Sequence, residues 1–283
     1  MFSFDPLSPL FNATVEIVAQ NPGISVGDLR TKLKQQAGQS VSLQHVYRIV
    51  TRLVETQILL KRKRQLTLNL LWLSTIELFA QTAKTRLLDD KETQTLQKLA
   101  TGKRATFQAK SLKEMQSIWH HLLIQINRLV PAREERILFK YYSHAWWLLG
   151  SGEDAAFYER IAKRGVQCFW LIGNETYLDL LAVKNYKRIF RIAVADRPPF
   201  LREGYCLNIL GAYVLECVFP KAISDHLELL FRSVRSDRDW KQSILDDIFH
   251  IHAPMTVTVT HNPKRAMEFR QKIAHWVPGA PNL

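Results

Sequence analysis

The sequence predicts a mixed chain, α+β overall and α/β in its larger part, in three stretches. These are an N-terminal module of three helices and a hairpin (residues 1–73), a connecting helix (74–100) and a C-terminal α/β sandwich (101–283). Three observations carry this reading. Val46, Ile49, Val50, Leu53 and Val54 recur at helical spacing, and the alternating Leu66, Leu68 and Leu70 follow soon after. Beyond residue 100, short apolar strands alternate with amphipathic helices. Positive charge is also concentrated: from Arg30 to Arg64 there are nine lysines and arginines against one acid, Glu55, which is +8 of the chain's net +13.

The first helix spans about Ser8–Gln20 and ends at the breaker Asn21-Pro22-Gly23. Ser25 and Asp28 have the spacing of a capping box for a second helix over Val26–Gln36. After a turn through Gly38, Ser40 or Ser42 caps a third helix over about Ser42–Thr56. Its apolar stripe faces inward, which leaves Gln44, His45, Tyr47, Arg48, Thr51 and Arg52 on the other side. Ile58-Leu59-Leu60, the run Lys61-Arg62-Lys63-Arg64 and the alternating leucines read as a β-hairpin with four cations at its tip.

Helix, helix, turn, helix and basic hairpin is the order of a winged helix-turn-helix. Such a module sets its third helix in the major groove of double-stranded DNA and grips the flanking backbone with the wing. Ser42, Gln44, His45, Tyr47, Arg48, Thr51 and Arg52 are then the candidates for base edges and nearby phosphates, and Lys61, Arg62, Lys63 and Arg64 for the backbone. The competing uses of this surface are a solvated basic face and a protein contact.

Ser74 and Glu77 have capping spacing, and Leu73, Ile76, Ala80, Ala83 and Leu87 follow in an a/d pattern two heptads long. This coiled-coil-like seam suits a homodimer, which could read two half-sites about one DNA turn apart. Packing of the helix on its own domain is the alternative.

In the C-terminal part the expected order is a strand at 105–109, a helix over Ser111–Leu129, a strand within 136–149 and a helix to Lys163 capped from Ser151. A strand over 166–172, a helix over 174–183 and a strand over 188–195 come next. A hairpin follows over Tyr205–Leu210 and Ala212–Phe219, turning at Gly211, and then a helix over 221–234. Residues 236–283 suggest a helix (239–250), a strand (255–260) and a helix (263–276).

The element order, the opening strand and helix "ATFQAKSLKEMQSIWHHLL", and the closing hairpin and helix "CLNILGAYVLECVFPKAISDHLELLFRSV" resemble the TrmB-like regulators. The resemblance spans about residues 8–235. It implies a dimeric transcription regulator with a non-catalytic, phospholipase-D-like second domain that senses an effector, a carbohydrate in sugar-responsive members. No short motif carries ligand residues over position by position.

Phospholipase-D chemistry needs His-x-Lys-x4-Asp, with the histidine as nucleophile. None of the nine histidines has lysine two places on. His144 is followed by Ala145-Trp146, and His226 by Leu227-Glu228. His250-x-His252, with Asp246 and Asp247 upstream, reads as a helix ending at Pro254, where the two histidines would point apart. His120-His121 likewise divides between two directions on a helix. Gly150-Ser151-Gly152 reads as a tight turn rather than an anion loop. Tyr141, Trp146, Trp147 and Trp170 are either core or the lining of a ligand pocket, and the Arg197-Pro198-Pro199…Arg202 segment is a surface loop. The expectation is therefore no enzyme activity, no metal and no cofactor.

Composition is that of a globular protein, with 47% hydrophobic and 23% charged residues. The longest apolar run, around 66–76, is broken by Thr67, Asn69 and Ser74, so no membrane association is expected. The opening MFSFDPLSPL lacks a basic and apolar leader pattern. Cys168, Cys206 and Cys217 sit singly in apolar runs and read as reduced, buried thiols, which suits the cytoplasm. The functional expectation is a sequence-specific regulator of double-stranded DNA with a small-molecule or partner sensor. A nucleic-acid-processing enzyme and a scaffold, each with a winged-helix targeting module, are the alternatives.

Overall fold

The computed structural model describes residues 9–37, 41–88, 95–131, 136–149, 153–195, 197–239 and 242–281. The chain divides into two compact units, Met1–Leu88 and Asp89–Leu283.

The first unit runs α1 (Pro9–Gln20), β1 (Ile24–Ser25), α2 (Val26–Ala37), α3 (Leu43–Glu55), β2 (Leu59–Arg62), β3 (Gln65–Leu68) and α4 (Leu70–Leu88). The three strands form an antiparallel sheet in the order β1-β3-β2. Ser25 caps α2: its hydroxyl accepts the Asp28 N–H (3.2 Å) and donates to the Asp28 carboxylate (2.7 Å). One core joins these elements, with Ile17 and Val18 of α1, Leu29 and Leu33 of α2, and Leu59 and Leu66 of the hairpin around Val46, Val50 and Leu53. Because α3 turns its apolar stripe inward, its polar side is left in solvent.

α4 starts at Leu70, not at Ser74. Asn69 decides this: its Oδ1 accepts the Leu71 N–H (3.0 Å) and its Nδ2 donates to the Gln57 carbonyl (2.8 Å). Ser74 and Glu77 therefore lie inside the helix. Within the expected seam, Ala80 is exposed and Ile76 and Ala83 are half-buried, while the Leu87 side chain lies outside the described residues. The expected turn at Gly38 and the cap at Ser40 lie outside them too. So does Gly150-Ser151-Gly152, and with it the Ser151 cap.

The second unit is built on a seven-stranded sheet. Its strands are β4 (Arg104–Ser111), β5 (Ile137–Tyr142), β6 (Gln167–Ile172), β7 (Arg191–Val194), β8 (Tyr205–Leu210), β9 (Tyr213–Val218) and β10 (His252–His261), in the order β4-β10-β9-β8-β5-β6-β7. β5, β6 and β7 are parallel, and every other pair is antiparallel. One face is covered by α5 (Leu112–Leu129), α6 (Glu153–Lys163), α7 (Tyr177–Tyr186), α8 (Lys221–Ser233) and α9 (Gln242–His250). α10 (Pro263–Ala274) lies on the other, against Phe139, Phe169, Leu207 and Ile209. With both faces covered, every residue of β5 and β8 is buried, so these strands read as apolar runs, each interrupted by one polar residue (Lys140 and Asn208), rather than as alternating ones.

Several boundaries shift for local reasons. α7 starts at Tyr177, because Thr176 and Asp179 form a capping box there. α9 is described from Gln242, and Asp239 does not open it: its carboxylate instead closes a turn on Ser236 Oγ (2.8 Å) and the Arg235 N–H (3.2 Å). The segment expected as helix to Pro254 is strand from His252 onward. The register against β4 shifts between His252 and Met255, an irregularity where the missing Pro254 N–H does no harm. Tyr141, Trp146, Trp147 and Trp170 are all buried at 1% exposure or less, which makes them core.

Candidate nucleic-acid interface

α3 is fixed at both ends. Ser42 is its N-cap, accepting the His45 N–H at 3.2 Å, so this hydroxyl positions the helix and keeps its proton and one lone pair for an outside partner. At the C-terminus Ile58 N–H bonds the Leu53 carbonyl (2.9 Å) and Gln57 N–H the Val54 carbonyl (3.0 Å), with Gln57 at φ +58°. This is a Schellman closure with glutamine where glycine is usual. It turns the chain directly into β2, so the hairpin is placed by the end of α3.

The outer face follows from that placement. Gln44, Tyr47, Arg48, Thr51 and Arg52 are exposed along one stripe, and His45 is half-buried beside them. Tyr47 is 45% exposed. Lys61, Arg62, Lys63 and Arg64 are all exposed, and Lys61 Nζ lies 5.8 Å from the centre of the Tyr47 ring, linking the hairpin to α3. Among the described residues none of these six cations of α3 and the hairpin is in an ion pair. Arg30, counted in the same charge cluster, instead donates from Nε to the Val41 carbonyl (3.0 Å) and anchors the segment before α3. The turn is two residues long, with Arg62 paired to Gln65 and Lys63 at φ +54°. The eleven residues singled out from sequence thus share one module, ten as free or half-free side chains and Ser42 as a cap.

The second unit holds a different set of charged groups, which sequence reasoning passed over. Lys140 is 1% exposed. Its Nζ lies 3.5 Å from the centre of the Tyr158 ring and 4.8–4.9 Å from those of Trp170, Tyr142 and Phe190. Burial pushes its pKa down to about 7, against an upward pull from Cys168 and Asp154. The signal was present in the sequence as a lone lysine inside Ile137–Tyr142. His144, at the carboxyl end of β5, bonds through Nδ1 to Asp179 (2.9 Å) and through Nε2 to Glu228 (3.0 Å). Burial opposes its charge, but the two carboxylates outweigh that and raise its pKa to about 9. With both ring nitrogens engaged, this histidine ties α7 and α8 to β5 and has no free nitrogen with which to attack a substrate.

His120 and His121 do diverge. His120 Nε2 lies 2.6 Å from buried Asp154, and His121 Nε2 lies 2.6 Å from Gln125 Nε2. Cys168, Cys206 and Cys217 are buried free thiols. Among the described residues no group of three or more metal-ligating side chains is assembled, and no helix is long and apolar enough to cross a membrane. No protein-family model matches the chain, and no curated protein matches it significantly.

Proposed function

We propose that this chain is a dimeric, sequence-specific regulator of transcription that binds double-stranded DNA in the cytoplasm. Residues 1–73 act as a winged helix-turn-helix, 74–100 as a connecting and dimerising segment, and 101–283 as a non-catalytic sensor of a small molecule or partner. The observation that carries the reading is the solvent face of α3: Gln44, Tyr47, Arg48, Thr51 and Arg52 stand in one stripe, and four exposed cations follow at the hairpin. Thirteen residues of α3 make a rod about 20 Å long, which suits a major groove. An apolar surface on α4 supports the dimer, though beside the expected seam rather than on it: Leu71 and Leu78, seven residues apart and so on one side of the helix, are 69% and 64% exposed, a stripe that a second helix would cover.

The test is selection of bound duplexes from a random library, followed by binding measured across salt. A palindromic consensus is expected, with affinity falling steeply as salt rises. Arg48→Glu with Arg52→Glu should remove specific binding, each base-reading side chain that is replaced costing about 1–3 kcal/mol. Neutralising Lys61–Arg64 should weaken binding to all sequences and flatten the salt slope by about 0.9 for each phosphate no longer neutralised. No binding of wild-type protein to any duplex at low salt would end the proposal.

A further inference from the structure

We infer that the open edge of the seven-stranded sheet carries an anion pocket for the phosphate group of a small phosphorylated molecule. The pocket stands where β7 begins late. β6 starts at Gln167, but the β6–β7 ladder first pairs Phe169 with Arg191. The chain arriving from α7 bends away beforehand, and a recess of about 330 Å³ opens between 166–169 and 187–191. That volume is at the small end of ligand sites and larger than one phosphate group requires.

The walls are rich in donors. Lys187, Arg188, Arg191 and Gln167 line the recess and are exposed, and among the described residues no carboxylate lines it. Among the described residues none of the three cations is in an ion pair. Arg191 is held for the purpose: its guanidinium carbon is 5.4 Å from the centre of the Phe169 ring, and one nitrogen donates to the Gly279 carbonyl. A guanidinium carries five N–H donors, so the rest of the fork remains for a ligand. The backbone adds one more donor. Gln167 N–H points toward β5, where it bonds the Arg136 carbonyl (2.9 Å). Strand alternation therefore turns the Cys168 N–H toward β7, below the point where the ladder begins. Planar guanidinium groups with a backbone N–H match tetrahedral phosphate oxygens, and the remaining volume suits a small polar body attached to that phosphate. Lys163 and Arg164, just before Val166 in the chain, add to the positive field.

None of these residues belongs to α3 or the hairpin, so the pocket stands or falls separately from DNA binding. The experiment is calorimetric titration of the full chain with inorganic pyrophosphate at constant ionic strength. It is run on wild type, on Lys187→Ala with Arg188→Ala, on Arg188→Glu, and on Arg48→Ala with Arg52→Ala. Saturable binding at one site per chain is expected, weakened at least tenfold by both edge variants and retained by the α3 variant. The thermal midpoint without ligand should be the same in all four, because Lys187 and Arg188 are exposed. No saturable binding, or binding that survives the edge variants, overturns the pocket. Displacement of pyrophosphate from the α3 variant by a short duplex also overturns it, since the edge would then be a nucleic-acid contact.

Discussion

On α3 and the β2–β3 hairpin, six lysines and arginines stand in solvent, none of them in an ion pair among the described residues, whereas in the other unit Lys140 is 1% exposed among aromatic rings and His144 is clamped between two carboxylates. Exposed cations add little to folding stability, because water already solvates them and salt screens them. Their removal should change what the protein binds and leave folding almost unaltered. Buried charges behave the other way: each carries a desolvation cost that only good partners offset, so its removal should change folding first. The position of a charge thus separates a surface kept for recognition from a network kept for architecture.

The largest effect should come from breaking the clamp. His144→Ala leaves Asp179 buried beside its remaining donors, the Ala145 N–H (2.8 Å) and Thr176, and leaves Glu228 of α8 with Arg232 alone (3.2 Å). A loss of about 3 kcal/mol is expected in denaturant unfolding of the second unit. Under folding conditions duplex affinity should stay within a factor of two. A stability change below about 1 kcal/mol would mean that the clamp is no structural tie, and the contrast between the units would fail there.

Lys140 sharpens the same contrast through pH. Its folded pKa of about 7 lies below the ordinary lysine value of 10.5, so the lysine destabilises the fold fully below pH 7, and this destabilisation fades as pH rises to 10.5. His144 has the opposite sign: its folded pKa of about 9 lies above 6.5, so its stabilisation is complete below 6.5 and is lost as pH rises through 9. Between pH 7 and 9 each group contributes a slope of about 1.4 kcal/mol per pH unit, and the two cancel. Wild-type stability should therefore be nearly flat across that window. Lys140→Met should raise stability at pH 7 by about 2 kcal/mol and expose the decline due to His144. Stability curves that stay parallel for the two proteins from pH 7 to 9 would show that Lys140 is not titrating.

The sequence was most legible where one local rule had no competitor. In α3 the apolar stripe and the cationic hairpin follow from short-range spacing, and of the two serines offered as its cap the structure uses Ser42. It was least legible where a partner distant in sequence decided the outcome. Asn69 starts α4 because it bonds Gln57 twelve residues earlier, and that bond leaves no mark near Ser74. His144 is defined by Asp179 and Glu228, 35 and 84 residues away. Lys140 was visible as a lone charge in an apolar strand, but only the rings of Trp147, Tyr158, Trp170 and Phe190 show what encloses it. The edge recess depends on where β7 begins, which pairing rather than propensity sets.

The smallest effect asks whether the exposed module gives up stability to keep charge at its tip. Lys63 sits at φ +54° in a two-residue turn, a conformation that costs a side-chain-bearing residue about 1 kcal/mol and glycine almost nothing. Gln57 holds φ +58° at the end of α3 and carries no charge. Lys63→Gly and Gln57→Gly should therefore each raise the stability of the first unit by about 1 kcal/mol, read from its denaturant midpoint. They should differ in binding. Lys63→Gly removes one cation from the hairpin and should lower duplex affinity with a shallower salt slope, while Gln57→Gly should leave both unchanged. If the two variants bound duplex equally well, the charge at the turn would be idle, and the strain at Lys63 would need a reason other than DNA.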